Sequence, residues 1–163
     1  MSGEPSYAYV TARVTRAFDV PQERVFDAWL NPETMRKWLF TSAASDPAGR
    51  KVENDVRIGG TWFVSDRRGG QDYAGDGEYI EIDRPRRLVF TFRMRQFSPT
   101  VDRVVVELEP RGEGCLLTLT QQITLPRDDS MGPEEIETML AEFRQATEHG
   151  WNEMLGLLEQ ALA

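Results

Sequence analysis

One stretch limits the fold of this chain more than any other. Between Pro133 and Leu162, Ile136, Leu140, Phe143, Thr147, Trp151, Met154, Leu155 and Leu158 recur at helical spacing. Pro133 sits where a missing N–H does no harm, and Glu134 and Glu135 place acids at the positive end of the helix dipole. A helix of about 30 residues runs ~45 Å. Its apolar stripe needs an apolar surface of similar length to lie on. Gly150, in the middle, costs up to ~1 kcal/mol against alanine and marks either a kink or a close contact with whatever lies beneath.

The rest of the chain reads mostly as strands that could supply that surface. Tyr9 to Val20 alternates, with Val10, Ala12, Val14, Phe18 and Val20 on one side and Arg16 breaking the pattern. Pro21 opens a short helix with Val25, Phe26, Trp29 and Leu30 as its stripe. Asn31-Pro32 ends it and starts a second, from Pro32 to about Trp38. Thr41 to Lys51 is small and polar and reads as a loop. Strands are expected over Val52 to Ile58 and Thr61 to Ser65, flanking a bulge at Gly59-Gly60. Asp66 to Asp76 reads as a turn. Further strands follow over Gly77–Asp83, Leu88–Arg95, Val101–Glu109 and Cys115–Leu125, and Pro126 to Gly132 links to the last helix. In the last strand Leu117, Leu119 and Ile123 face one way, and Thr118, Thr120 and Gln122 the other. Such a sheet is covered on one face and wet on the other.

The expected fold class is therefore α+β. A curved antiparallel sheet of about six to seven strands wraps a long C-terminal helix, with two short helices after the first strand. Residues 1–8 form a flexible N-terminus and residues 9–163 one domain, as the length of 163 residues suggests. This helix-grip arrangement leaves room for a pocket between sheet and helix.

Composition narrows the chemistry. Net charge is −8, which argues against a nucleic-acid binder or an anionic-membrane binder. No apolar run reaches the ~20 residues of a membrane span, and the opening MSGEPSYAYV lacks the features of a signal peptide. A cytoplasmic address follows. Cys115 and His149 are the single cysteine and histidine, so a His/Cys-rich metal site is excluded and no cofactor is expected. Cys115 reads as an inert packed thiol, and His149 as a helix-surface or packed residue.

Several blocks, in order, carry a resemblance. VTRAFDVPQERVFDAWLNPETMRKWL (Val14 to Leu39), DVRIGGTWFV, GEYIEIDRPRRLVFTF, VVVELEPRGEGCLLTLTQQ and HGWNEMLGLLEQAL resemble the heat-shock-protein ATPase activator-like (AHSA-type) family of the START/polyketide-cyclase (SRPBCC, Bet v-like) superfamily. The resemblance implies a helix-grip fold with a ligand cavity. Similar proteins include co-chaperone domains and small-molecule binders, so it does not imply one chemistry. Where relatives carry histidine in the LTLTH block, this chain has Gln121.

The candidate site follows from the interface. Trp38 from the second short helix and Trp62, Phe90, Phe92, Leu117 and Leu119 from the strands form an apolar set between sheet and long helix. Trp151, Met154, Leu155 and Leu158 face them from the helix. These residues either pack as a plain core or line a cavity for a small, mostly apolar molecule. Polar residues in phase with inward ones need partners. Gln121 is a candidate hydrogen-bonder to a ligand, Glu78 is in phase with Ile80 and Ile82, and Arg16 is expected to pair with Glu78 in the cavity. Glu107, in phase with Val105, belongs to the wet face. The leading expectation is non-catalytic binding of a small apolar molecule by a monomer or homodimer. The alternative is a co-chaperone-like interaction that stimulates a chaperone ATPase. A cyclase- or hydratase-type enzyme would need an acid–base pair, and Glu78, Arg16, Tyr79 and His149 form no convincing set.

Overall fold

A computed structural model describes residues 6–41, 45, 49–96 and 99–163. The first strand, β1 (Ser6–Phe18), pairs antiparallel with a late one, β7 (Gly114–Arg127). It begins at Ser6, so residues 6–8 lie in the sheet, and residues 1–5 of the expected flexible N-terminus lie outside the described residues. Two short helices follow, α1 (Gln22–Ala28) and α2 (Pro32–Trp38). Asn31 starts the second, its Oδ1 accepting the Glu33 N–H at 2.9 Å, with Pro32 at the first helical position. Trp38 at its end donates its indole N–H to the Ala28 carbonyl at 3.1 Å, and its ring meets that of Trp29 edge-on at 4.6 Å. The pair ties α2 back onto the end of α1.

The remaining strands are β2 (Lys51–Asn54), β3 (Thr61–Arg68), β4 (Gln71–Asp83), β5 (Arg87–Phe92) and β6 (Asp102–Arg111). With β1 and β7 they form one seven-stranded sheet in the order β1-β7-β6-β5-β4-β3-β2. The long helix α3 (Pro133–Ala161) lies across it and packs most closely on β1 and α2. The α+β helix-grip class expected from the sequence is the observed one. The parity of β7 also holds: Leu117, Leu119 and Ile123 are buried, Thr118 and Thr120 are half-buried, and Gln122 is exposed.

Three local expectations change. Val52 to Ile58 is not one strand, because β2 stops at Asn54 and Ile58 is 67% exposed in the turn that follows. Gly59 belongs to that turn rather than to a bulge; its φ is +85° and its N–H donates to the Tyr79 carbonyl at 2.8 Å. Asp66 to Asp76 is not a loop either. Strand β3 runs on to Arg68 and reverses at once through Gly69 and Gly70, with φ +57° and +80°. Two consecutive positive φ values make the turn whose twist suits a two-residue hairpin, and glycine adopts them without strain. Of the expected loop Thr41 to Lys51, residues 42–44 and 46–48 lie outside the described residues.

The true bulge is in β4. Tyr79 pairs with Phe90 and Ile82 with Leu88, so three steps along one strand face two along the other. The extra residue moves Glu78 out of phase with Ile82. Tyr79 turns inward and is buried, while Glu78 is exposed, its backbone N–H donating to Thr91 Oγ1 at 2.9 Å.

Gly150 lies inside α3, and a methyl placed on it would meet nothing within 4 Å. It therefore marks no close contact with the sheet. Gly150→Ala is expected to raise stability by about 0.5–1 kcal/mol through reduced chain entropy and better helix propensity. At this chain size that is a rise in melting temperature of roughly 1–4 °C. A drop on calorimetric melting would contradict the open space beside Gly150.

Candidate functional site

The centre of the sheet–helix interface is filled. Trp29 sits between Phe90 and Trp151, with ring centroids 6.0 Å and 5.7 Å away. Trp38, Leu117, Leu119, Leu155 and Leu158 have essentially no exposed surface. Trp62 is also buried, donating its indole N–H to the Thr91 carbonyl at 3.1 Å. These members of the expected lining form a packed core. The void left between Trp29, Met35, Trp62, Tyr79 and Phe90 measures only about 10 Å³, about enough for one water molecule at most.

Gln121 is spent within this core. It is 4% exposed. Its Oε1 accepts the Trp151 indole N–H at 2.7 Å, and its Nε2 donates to Asp102 Oδ2 at 2.8 Å. The Thr124 N–H donates to the other oxygen of Asp102 at 3.0 Å. Burial pushes the Asp102 carboxyl above its ordinary range, and the hydrogen bonds from Thr124 and Gln121 work against that rise. Both ends of the Gln121 amide thus have partners inside the protein.

The expected Arg16–Glu78 pair does not form. Arg16 Nη2 donates to Glu159 Oε2 on α3 at 2.6 Å. The sheet order explains this, because β1 and β4 are separated by β7, β6 and β5. At about 4.8 Å per strand step the two residues stand roughly 19 Å apart, whereas α3 crosses directly over β1. Glu107 is exposed, as expected, and accepts from Arg87 at 3.0 Å. His149 is on the helix surface beside Glu153, at 3.5 Å. The Cys115 thiol is buried, and burial together with the nearby charge of Glu23 pushes it upward, away from the reactive thiolate. No three His, Cys, Asp or Glu side chains come together as a metal site among the described residues.

Open space lies instead at the rim, where α3 passes over β3, β4 and the end of β5. A cavity of about 220 Å³ opens there. Its apolar lining comes from Phe40, Val64, Phe92, Met94 and Met154, its polar lining from Thr41, Asp66, Arg68, Tyr73 and Glu153, with Ala74, Gly75 and Gly150 between them. Of the residues expected to contact a ligand, Phe92 and Met154 line it.

Phe40 was not foreseen, and it shapes the site. It follows α2 with φ +50°, a left-handed conformation that costs an aromatic residue energy. Its N–H points at Met154 Sδ, 3.0 Å away. Its ring stacks nearly parallel on Phe92 at 4.6 Å and on Trp62 at 5.5 Å. Its carbonyl accepts from Arg50 Nη1 at 2.9 Å and from Arg68 Nη2 at 3.2 Å. Those two hydrogen bonds and the stacked rings hold the strained backbone in place.

Behind Phe40 lies a buried charge cluster. The side chains of Arg50 and Asp66 are each 3% exposed. Arg50 also donates to the carbonyls of Leu39 and Met35. Asp66 Oδ2 accepts from Ser45 Oγ and from Arg68 Nε, both at 2.6 Å. Burial alone would push Asp66 up, but the hydrogen bonds from Ser45 and Arg68 and the charges of Arg50 and Arg68 hold it below the ordinary carboxylate range. Burial lowers Arg50, while Asp66 raises it. Asp66 and Arg68 continue the inward parity of Trp62 and Val64 along β3, a signal present in the sequence.

The family model described as Activator of Hsp90 ATPase homolog 1-like protein matches residues 19–163. No curated protein matches the chain. Among solved structures, a Staphylococcus aureus protein of unknown function, SA2116, superposes with a TM-score of 0.84 at 21% identity, over 96% of this chain and 94% of that one. Protein CV1439 from Chromobacterium violaceum gives 0.71 at 28% identity, over 93% and 96%. An uncharacterized protein from Rhizobium leguminosarum gives 0.74 at 23%, over 98% and 97%. At such identities these likenesses bear on the fold.

Proposed function

The chain belongs to the family of Activator of Hsp90 ATPase homolog 1-like proteins, and on that premise we propose that it binds a small, mostly apolar molecule without transforming it, in the rim cavity bounded by Phe40, Phe92 and Met154. The observation that carries the reading is an open space of about 220 Å³ beside a core that is otherwise filled. Small-molecule sites usually measure roughly 300–1,000 Å³, so a compact ligand fits and a larger one protrudes past Gly150. Of the charged groups at hand, Asp66 is paired with Arg50 and Arg68, and Glu153 lies on the exposed helix surface beside His149.

A thermal-shift screen of medium-chain alcohols, fatty acids, aromatic polyketides and steroids tests this. A ligand at ~100 times its dissociation constant adds about 2.7 kcal/mol, or roughly 5–11 °C for a chain of this size. Met154→Trp and, from the opposite wall, Ala74→Leu fill the cavity and are expected to abolish the shift. Hits that persist in both variants would overturn the assignment to this space. The family description favours a second reading, a protein interaction that activates a chaperone ATPase. Stimulation of purified Hsp90 by the wild type and equally by Met154→Trp would support it.

A further inference from the structure

We propose that the first strand is a contact surface for a second copy of this chain, which pairs with it antiparallel about a two-fold axis at Tyr9. The sheet ends in two edge strands, β1 and β2. Unpaired N–H and C=O groups on an edge invite another strand, and proteins guard them by shortness, charge or a covering element. Strand β2 is guarded in this way: it has four residues, Lys51 and Glu53 among them. Strand β1 has thirteen, and its opening stretch from Ser6 to Ala12, SYAYVTA, carries no charge.

Two observations fix which backbone groups of β1 face outward. Thr124, opposite Tyr9, turns its N–H to Asp102 and its C=O to Thr100, on the side of β6. Arg13 sends its N–H to Glu148 of α3 at 2.9 Å instead of to β7. The register between β1 and β7 is unbroken from Ser6 to Phe18, so the odd-numbered residues all point to the open edge. Glu148 closes that edge at Arg13. Before it, the N–H groups of Tyr7, Tyr9 and Thr11 donate to no group among the described residues. The side chains of Tyr7 and Tyr9 are exposed.

A second copy fits this edge because the pattern is its own complement. Setting Tyr9 against Tyr9 of the other copy places Tyr7 against Thr11, and each of these pairs exchanges two N–H···O bonds. Ala8 then meets Val10 on the inner face, and the tyrosines lie side by side on the outer one. No like charges meet along the stretch. At ~3.4 Å per residue it runs only ~24 Å, a smaller contact than the usual interface of about 1,600 Å². The dimer is therefore a weak and reversible one.

Sedimentation equilibrium of the full chain from about 5 to about 500 μM tests this, the range suited to a weak interface. The mass is expected to rise from 18.6 kDa toward twice that value. Thr11→Pro removes an N–H that faces the open edge, so the ladder to β7 keeps its bonds. It is expected to raise the dissociation constant at least about tenfold, since each copy loses a donor. Should that variant fail to fold, Tyr9→Lys, at an exposed side chain, sets two like charges together on the axis and is expected to do the same. Tyr9→Cys locates the axis. Hydrogen-bonded partners stand ~5.5 Å apart at Cα, within disulfide reach, and Cys115 is buried out of the way. Mild oxidation is expected to cross-link Tyr9→Cys, and to leave Ile58→Cys, exposed in the turn after β2, uncross-linked. A chain that stays monomeric over the whole range would overturn the proposal. So would a dimer that survives both Thr11→Pro and Tyr9→Lys, or one that Tyr9→Cys fails to cross-link, because it forms through another surface.

Discussion

Trp151→Ala is expected to lower stability by about 3–5 kcal/mol, the range for removing a large aromatic side chain from a packed core. For a chain of this size the melting temperature falls by roughly 6–20 °C. Two effects add. The ring fills the space between Trp29 and Phe40, with centroids 5.7 Å and 5.5 Å away, and its N–H is the donor to Gln121 Oε1. Trp151→Phe separates them. It keeps most of the volume and leaves a buried acceptor unpaired, for a smaller loss of about 1–3 kcal/mol. Chemical denaturation of the two variants reads both numbers. A loss below 1 kcal/mol for Trp151→Ala would mean that the indole lines open space.

Arg50→Met is expected to cost a similar about 3–5 kcal/mol, because it removes one partner of a buried ion pair. It also takes the donor from the carbonyls of Phe40, Leu39 and Met35. The pH dependence gives a sharper check. The folded state holds Asp66 below its ordinary value of about 3.9. Its contribution is therefore present above about pH 4 and is lost as pH falls through the lowered value, because the unfolded chain takes up the proton first. Asp102, held above its ordinary range, works in the opposite sense, favouring the fold in acid and losing that contribution as pH rises through its raised value. Comparing wild type with Arg50→Met at each pH cancels the part from Asp102. Without Arg50, the Asp66 carboxylate loses a stabilising charge, so the acid transition of the variant moves to higher pH. Melting curves from pH 7 down to pH 2.5 that fall in parallel would show that Arg50 does not hold Asp66 ionised.

What could be read from residues alone followed the strength of the local signals. The boundaries of α2 were legible because Asn31-Pro32 is a strong start signal and Trp38 closes the stripe. The faces of β7 were legible because Leu117, Leu119, Ile123 and Leu125 keep one parity, with Gln121 alone interrupting it. Parity failed where the backbone breaks its own count. The bulge at Tyr79 and Glu81 turned Glu78 outward, and nothing in GEYIEID announces an extra residue. Asp66 and Arg68 were hidden for another reason. Charged residues near a glycine doublet look like a turn, although they share the phase of Trp62 and Val64. The site itself was legible only in part. Whether a sheet–helix interface is filled depends on how three tryptophans and a phenylalanine interdigitate, which is a matter of tenths of an ångström and not of spacing. Nor does any pattern report that Phe40 leaves α2 with a positive φ.

The chain of bonds from Trp151 through Gln121 to Asp102 runs in one direction only. Trp151 can only donate and the Asp102 carboxylate can only accept, so the amide of Gln121 has one permitted orientation. A turn of α3 about its axis, or a slip along it, would set that buried relay wrong at every member. At the far end Arg16 and Glu159 clamp the same helix to β1. The cavity thus resembles a vice with one fixed jaw. Its α3 side is tied down at both points, so a guest of the kind proposed would be expected to widen it at the strained backbone of Phe40.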